Sequence, residues 1–349
     1  MLAIQKVRPA FVATSIIMGE DRSPRVVLEA NRAHDTARTA RLERVVFRND
    51  LSPQEALDAV CDREGEMDIV SEVSPADAAR VERSEHARLI AIDANRLIVG
   101  LFNRRPDHDA PLTDGRMREA LNLAVDRHRM AAEGLGGHAT PLAGMTPAWC
   151  NGVFPGAEAR RRDAARAAEL AAAAGWSPGR PLRLATPAAL EGLARMAAAD
   201  IEDALGLRVE VIAVPPSDEG VGARRLVEKK LPLGWDVLLH PWFDLSSDMP
   251  PAFVHREFFG HDGAFRAGPE DEEFDRRFAE LARTTDPDEA RRQAEEVDRY
   301  CFEQSLALFL VAPQALYAVN RHVDFKAYRA TFELADTEVS AEHWSRREA

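Results

Sequence analysis

The chain has 349 residues, which is enough for two domains of ordinary size. Hydrophobic residues make up 46% of it and charged residues 30%, the balance of a globular protein rather than of a disordered or fibrous one. Its 45 basic and 58 acidic residues give a net charge of −13, with no long block of like charge. We therefore expect no nucleic-acid partner and no docking on anionic lipid, because a positive field supplies most of that affinity.

The beginning of the chain combines features of a signal peptide and of a strand. Lys6 and Arg8 precede an apolar run over residues 10–18, which is the order found in signal peptides. The sequence MGED at residues 18–21 lacks the small residues of a cleavage site, so we predict an edge strand here and no functional signal. No other run reaches the ~18 apolar residues that span a membrane.

Strand and helix signals alternate along the rest of the chain, which predicts an α/β fold with sheets covered on both faces. The predicted strands are residues 67–70, 88–93, 96–103, 182–186, 208–214, 234–242, 306–313 and 316–320. The predicted helices are residues 55–63, a helix from Ser74, and residues 118–132, 163–176, 189–206, 270–284 and 286–304. The continuous apolar runs at 88–93 and 96–103 are typical of strands that are buried on both faces.

Local signals mark where two of these helices begin. Ser52 and Glu55 have the spacing of a capping box, and so do Asp286 and Glu289, with a proline in the first turn of each helix. The Gly/Pro-rich stretch 134–157 is too long for an ordinary connection, so we expect it to be either functional or a wrapping loop.

Signatures of cofactor and disulfide chemistry are missing from the sequence. It contains no GxGxxG or GxxxxGK[ST] phosphate-binding motif, no GxSxG elbow and no HExxH motif. Cys61, Cys150 and Cys301 lie far apart without CxxC spacing, which predicts buried thiols rather than disulfides or a structural zinc site. We therefore expect no cofactor.

A cluster of histidines and aspartates raises a metal hypothesis, which we weigh against ordinary surface and core histidines. The residues lie within 23 positions, and imidazole with carboxylate could bind zinc or nickel. His240 and Asp244 are four residues apart, but prolines and loop residues occupy this stretch instead of a predicted helix, so we expect no metal site here. The residues are His240, Asp244, His255, His261 and Asp262.

The most informative segment follows the predicted strand 234–242. The strand ends in Trp242 and Phe243, and the acids Asp244 and Asp248 follow before two prolines. Ligand pockets combine apolar walls with a few polar groups at strand ends, so this pattern indicates a ligand site. The alternative is a core tryptophan beside a solvated turn.

Six segments, in the same order, resemble the family 5 extracellular solute-binding proteins, the peptide and nickel receptors of bacterial ABC importers. The resemblance runs from about residue 25 to about residue 330. The most specific piece is LTDGRMREALNLAVDRHRM at 112–130, which is similar to the family's D-x-R-hydrophobic-R helix. The other segments are VVLEANRAH, LERVVFRND with GEMDIV, LFN, AAELAAAAGWSPG and GWDVLLHPWFDLSSDMPP.

The resemblance implies a two-lobe fold of the type II periplasmic-binding-protein class, with lobe I reduced because family members are usually longer. Lobe I would be residues 1–103 and 313–349, and lobe II residues 104–312. A peptide-like or small cationic ligand would bind between the lobes. Asn103 would lie at a chain crossing beside that cleft, as a further ligand contact.

The same resemblance implies which side chains would contact the ligand. Trp242 and Phe243 would stack on its apolar part, His240 would lie beside them, and the acids would meet its positive group. Family members that bind peptides commonly carry an aspartate where this chain has Leu245, whereas Asp244 lies one residue earlier and Asp248 matches a later acid. This difference makes the binding of a free peptide amino group depend on a one-residue shift of the loop.

The resemblance further implies a binding protein rather than an enzyme, located in the periplasm and working with ABC permease subunits. Three alternatives stay open. The first is a cytoplasmic ligand sensor, the second an enzyme on a binding-protein fold that uses His240, Asp244 and His255, and the third a degraded receptor without a ligand. A reduced lobe I would expose sheet edges, which makes a homodimer a further expectation.

Overall fold

The computed structural model describes most of the chain. The described residues are 11–18, 24–31, 40–105, 110–176, 179–215, 217–218, 224, 227–228, 234–243, 252–329 and 332–347. The chain divides into two compact units. Unit 1 consists of Met1–Ile92 and Ala315–Ala349, and unit 2 of Asp93–Gln314.

Strands and helices both occur along the described chain, but several strands and several helices follow one another directly, so the alternation is not strict. The strands are β1 (Phe11–Met18), β2 (Pro24–Ala30), β3 (Arg44–Arg48), β4 (Ile69–Val70), β5 (Ala87–Ile92), β6 (Arg96–Phe102), β7 (Ala139–Pro141), β8 (Leu182–Pro187), β9 (Val209–Val214), β10 (Val237–Phe243), β11 (Ala307–Pro313), β12 (Ala315–Asn320), β13 (Val323–Asp324) and β14 (Glu338–Val339). The α-helices are α1 (Pro53–Cys61), α2 (Ala78–Glu82), α3 (Gly115–Ala124), α4 (Arg127–Arg129), α5 (Ala164–Ala173), α6 (Glu191–Leu205), α7 (Phe253–Phe259), α8 (Glu272–Leu281) and α9 (Pro287–Glu303). Short 3₁₀ helices cover Pro75–Asp77, Ala188–Leu190 and Trp344–Arg346, and a π-helical turn, Met130–Gly134, follows α4.

The unit boundaries differ from the predicted lobe boundaries at residues 103 and 313. The first crossing lies at Ile92–Asp93, because β6 belongs to the unit 2 sheet, where it pairs with β10 and β11. The second crossing lies at Gln314–Ala315, between β11 of unit 2 and β12 of unit 1.

Unit 1 contains two three-stranded antiparallel sheets. The first has the order β1-β2-β3, which makes β1 an edge strand as predicted. The second has the order β4-β12-β5, and α1 and α2 pack their apolar side chains against it. Buried residues of this small core include Leu57, Val60, Val81, Leu316 and Ala318.

The predicted caps are found at both helix starts, but only one forms a full capping box. Ser52 Oγ accepts from Glu55 N, and Glu55 Oε2 accepts from Ser52 N at 2.8 Å. Asp286 accepts from Glu289 N at 2.8 Å, whereas the Glu289 carboxylate bonds to Arg292 and Gln293 instead of returning to the cap. The prediction of a second capping box is therefore wrong in one respect: the Glu289 side chain does not accept a hydrogen bond from the backbone of Asp286.

Unit 2 is built around one six-stranded sheet with the order β7-β11-β6-β10-β8-β9. Strands β8, β9 and β10 run parallel, while β6 runs antiparallel to both β10 and β11. Helices α3, α5 and α6 cover one face with one hydrophobic core, and α7, α8 and α9 cover the other face with a second. β6 is therefore buried on both faces as predicted, whereas β5 of unit 1 is mostly only half-buried.

The helix predicted over residues 118–132 is broken between α3 and α4. Val125 has extended backbone angles, and Asp126 caps α4 by accepting from Arg129 N. Arg127 is only 1% exposed, and it donates to Phe309 O and to the side chain and backbone of Asn122. Burial lowers the pKa of Arg127 to about 9, and these acceptors compensate the buried charge where the chain bends.

The thiols and the helix lengths agree with the sequence analysis. Cys61 and Cys301 are buried and Cys150 is half-buried, and all three are free thiols. Within the described part of the chain, every helix is too short or too polar to cross a bilayer.

Candidate functional site

One edge of the unit 2 sheet collects the carboxyl ends of its parallel strands. β8 ends there at Pro187, β9 at Val214 and β10 at Phe243. The antiparallel strand β6 begins at the same edge, with Arg96 opposite Phe243. Ligands of open α/β sheets bind outside the carboxyl ends of the strands, so this edge is the first place to look for a site.

The two ends of the unit 2 chain also meet at this edge. Gln314 Nε2 donates to Asp93 Oδ1 at 3.0 Å, which joins the last residue of the unit to its first. Gln314 N donates to His138 O at 2.9 Å, and Gln314 Oε1 lies 3.3 Å from His138 Nδ1. These hydrogen bonds hold the first and last residues of unit 2 together beside the ends of the strands.

Trp242 stands on this edge as part of an aromatic cluster. Its half-buried indole packs edge-on against Phe258 and Phe265, with ring centroids 5.1 and 5.0 Å apart. His240 lies on the same face of β10, 6.2 Å from Trp242 and 5.8 Å from Phe265. Trp242 Nε1 is buried and has no hydrogen-bond acceptor among the described residues.

A loop of the Gly/Pro-rich stretch brings a second tryptophan to the same edge. Trp149 Nε1 donates to Ala94 O at 3.2 Å, and Cys150 Sγ lies 3.2 Å from Asn95 Oδ1. Residues 94 and 95 directly precede β6. Trp149 and Trp242 both pack at the margin of the core under α7, α8 and α9. The sequence analysis marked this stretch as functional or wrapping but did not single out Trp149.

A buried carboxylate, that of Asp298, accepts hydrogen bonds from the backbone of this loop. Asp298 is fully buried, and its Oδ1 accepts from Met145 N and Thr146 N, both at 3.1 Å. The same oxygen lies 2.8 Å from Nε2 of His255, which is 3% exposed. A Cβ atom at Gly144 would lie 2.9 Å from Asp298 Oδ1, so only glycine allows the loop to approach this closely. Asp298 therefore positions the loop that carries Trp149.

Most of the sequence matches the model of a known family. The model of the bacterial extracellular solute-binding proteins, family 5 Middle, matches residues 18–262. The chain belongs to the family 5 extracellular solute-binding proteins. The resemblance found in the six sequence segments is thereby confirmed.

Solved structures of family 5 peptide- and nickel-binding proteins share the fold. The ABC transporter substrate-binding protein CtaP from Listeria monocytogenes superimposes with a TM-score of 0.79 at 18% identity, over 95% of this chain and 66% of its own. NikA from Brucella suis, in complex with Fe(III)-EDTA, gives 0.77 at 17% identity, over 95% and 68%. The dipeptide-binding protein from Pseudoalteromonas sp. SM9913, in complex with Met-Leu, gives 0.74 at 16% identity, over 95% and 64%.

The comparisons confirm the predicted fold class, a mixed α/β fold of the type II periplasmic binding proteins. The chain spans 66% of the length of CtaP, slightly under two thirds. A search of proteins with curated functions found no significant match.

The structure places the residues predicted for the family 5 ligand site in three different situations. Trp242 and His240 lie together in the aromatic cluster at the strand ends. Phe243 is the last residue of β10, at the same edge. Asp244 and Asp248 lie outside the described residues.

Asn103 does not lie at a chain crossing, in contrast to the expectation from the resemblance. It follows the opposite end of β6, where Asn103 N donates to Asp236 O and Nδ2 donates to Trp235 O. Its side chain is fully buried. The crossing lies before β6 rather than after it, so the residues beside it are Asp93 to Asn95, and Asn103 serves the packing of the far edge.

The histidines of the metal hypothesis are dispersed. His255 is buried against Asp298, while His261 Nδ1 lies 3.5 Å from Asp275 and Asp262 pairs with Arg256. Among the residues that the structure describes, no three histidine, cysteine or acidic side chains are grouped so as to hold a metal ion.

Burial, together with the charge of Asp298, raises the pKa of the Cys301 thiol, which keeps this buried group protonated and unreactive.

Proposed function

We propose that this chain is the solute-binding protein of an ABC-type importer and binds a peptide-like or small cationic ligand at the carboxyl-end edge of the unit 2 sheet. Membership of family 5 supports the class of function. The location of the site is supported by the half-buried Trp242, which packs on Phe258 and Phe265 where the parallel strands end. No enzymatic step is part of this proposal.

Trp242 can provide both apolar and polar contacts in such a site. The packing on two phenylalanines fixes the indole, so little side-chain entropy is lost when a ligand stacks on it. An aromatic–cation contact contributes about 0.5–2 kcal/mol, depending on how far water is excluded. The Nε1 proton is buried and has no acceptor among the described residues, so it can donate to a ligand oxygen that displaces the atoms covering it.

The other contacts in the proposed site come from the same edge. Phe243 follows Trp242 in β10, and we propose that Asp244 or Asp248, which come directly after this strand, binds the positive group of the ligand. We add Trp149, because its loop is anchored at Ala94 beside the beginning of β6. His240 supports Trp242 through the aromatic cluster.

Calorimetric titration with a panel of dipeptides and polyamines such as spermidine tests the proposal. For a ligand found in this way, we expect Trp242→Ala and Asp244→Asn each to weaken binding tenfold or more. Trp176→Ala is the matched control, since Trp176 is also half-buried but packs against the core on the opposite face of the sheet. Unchanged affinity in the Trp242 and Asp244 variants, with unchanged thermal unfolding, would refute the site.

We propose a periplasmic location and ABC permease subunits as partners, on the basis of the family. Cell fractionation tests the location, and recovery of the protein only in the cytoplasm would favour the alternative, a cytoplasmic ligand sensor. Uptake of the bound ligand by cells that lack the gene tests transport. Loss of uptake that the gene restores is expected, and uptake that does not depend on the gene would contradict the importer role.

A homodimer is part of the proposal through the open edge of unit 1. β3 is the last strand in the β1-β2-β3 sheet, and its Val46 and Phe47 side chains are 44% and 39% exposed. Exposed apolar edge strands favour association with another chain. Light scattering at micromolar concentration should give twice the mass of the chain, and a strictly monomeric mass would contradict the dimer.

A further inference from the structure

A groove on unit 1, separate from the proposed ligand site in unit 2, is lined by arginines. Its volume is about 510 Å³, and it lies among β5, the turn after β12, β14 and the C-terminal 3₁₀ helix. All residues that line it belong to unit 1. The charged and titratable side chains in its wall are Arg88, Arg321, His322, Asp324, Glu338 and Arg346.

Among the residues that the structure describes, no carboxylate pairs with these three arginines, and carbonyl oxygens orient two of them. Arg88 Nη2 donates to Val323 O at 3.1 Å, and Arg321 Nη2 donates to Ser84 O at 2.8 Å. Arg346 is exposed and has no side-chain partner among the described residues. A carbonyl oxygen fixes a guanidinium group without cancelling its charge, so three positive charges face one groove.

Two arginines of unit 1 outside the groove pair with carboxylates. Arg80 pairs with Asp58 and Asp62, and Arg347 pairs with Glu64 at 2.8 Å. The chain has a net charge of −13, so acidic groups for further pairs are plentiful. Three uncompensated arginines in one groove therefore mark a local positive field on an acidic protein.

The acidic groups in the groove do not balance this charge. Glu338 pairs with Arg41 at 2.9 Å, which leaves Asp324 as the one lining carboxylate without an ion-pair partner among the described residues. His322 Nε2 lies 3.9 Å from Glu64, and its Nδ1 lies 3.5 Å from Ser340 Oγ. The groove thus combines three arginines with a single free carboxylate and a hydroxyl group.

We propose that this groove binds a small organic oxyanion, whose phosphate or carboxylate groups are held by Arg88, Arg321 and Arg346. The planar guanidinium fork matches both kinds of oxyanion, often through two parallel hydrogen bonds. A volume of about 510 Å³ is in the range of small-molecule sites and exceeds what one phosphate ion fills. Asp324 then accepts hydroxyl groups of the same molecule, which favours a hydroxylated ligand.

Calorimetric titration of the full chain with four probes tests the proposal. It also shows whether the negative groups of the ligand are phosphates or carboxylates. Ribose 5-phosphate and citrate represent the phosphorylated and the carboxylated classes, inorganic phosphate tests the anion alone, and ribose tests the uncharged body. We expect at least one of the two organic anions to bind more tightly than inorganic phosphate, with no binding of ribose. Its affinity should fall at least fivefold between 50 and 300 mM salt, because ionic screening weakens exposed charge contacts.

Substitutions assign the binding to the groove. Arg346→Gln changes an exposed side chain that has no polar partner in the described part of the chain, and Arg88→Gln changes an oriented one; each should weaken binding tenfold or more. Arg83→Gln is the matched control, because Arg83 also bonds to a carbonyl oxygen in unit 1 but lies outside the groove. Binding that persists unchanged in both groove variants, or no binding of either organic anion at millimolar concentration, would overturn the proposal.

Discussion

Replacement of Asp298 by alanine should loosen the loop that carries Trp149. Asp298 Oδ1 accepts from two backbone amides of the loop, Met145 N and Thr146 N, and lies 2.8 Å from His255 Nε2. Alanine removes this acceptor while α9 itself stays intact, because alanine is the best helix former. The loop then loses its attachment to α9, and Trp149 loses its support below the strand ends.

The cost follows from the groups that are left without a partner. Each buried donor that loses its acceptor costs about 1–3 kcal/mol, and three donors depend on Asp298. Water that enters the space relieves part of this, so we expect Asp298→Ala to lower the free energy of unfolding by about 3–5 kcal/mol, towards the lower end of the sum for three donors. That is a large share of the stability of an ordinary domain.

Urea unfolding followed by circular dichroism measures the loss, and hydrogen exchange locates it. The amides of Met145 and Thr146 should exchange much faster in the variant, while amides in β6 keep their protection. Asp288→Ala is the matched control on the same helix, because Asp288 is 73% exposed and pairs with Arg291 at the surface. A loss below about 1 kcal/mol, with unchanged exchange at both amides, would show that Asp298 does not hold the loop.

Three further predictions concern the framework of the two units. Burial alone would raise the pKa of Asp236, but hydrogen bonds led by that of Arg180 outweigh it and hold the pKa below its ordinary value. Asp236→Asn should therefore destabilise unit 2 at pH 7. Its difference from the wild type in the free energy of unfolding should narrow as the pH falls below about 4, where the carboxylate of the unfolded chain takes up a proton, and should be lost once the pH falls through the lowered pKa of the folded protein. Ser52→Ala removes the capping box of α1 and should cost about 1 kcal/mol in thermal unfolding of unit 1. Gly100→Ala places a Cβ 2.8 Å from Val237 Cγ1 inside the sheet and should cost about 1–3 kcal/mol in urea unfolding.

Elements whose signals lie within one stretch of sequence were predictable. α6 and α9 were found from their helical periodicity and terminal residues, and β6, β8 and β11 from short apolar runs. α7 was not predicted, because Phe253–Phe259 has only two turns and no side-chain cap on Ala252, whose backbone is left-handed. A helix that short shows no clear periodicity.

The sequence of a strand does not reveal which other strands it pairs with. β5 and β6 follow each other and have similar apolar sequences, but β5 pairs with β12 of unit 1 and β6 with β10 of unit 2. Their partners lie more than a hundred residues away, so the sequence could not show that the chain crosses between the units before β6. The difference between the predicted crossing at Asn103 and the unit boundary at Ile92–Asp93 has this single cause.

The register of β6 on β10 also decides which of the predicted residues can share one ligand. Trp242 pairs with Leu97 near the beginning of β6, whereas Asn103 bonds to Asp236 beyond its end. The six steps along the strand from Asp236 to Trp242 span about 20 Å at about 3.3 Å each, which is more than a dipeptide can bridge while it remains stacked on the indole. The two groups therefore cannot belong to one small site. The strand ends, the chain crossings and the Trp149 loop all lie on the side of Trp242, and variants on that side are the ones that should change binding.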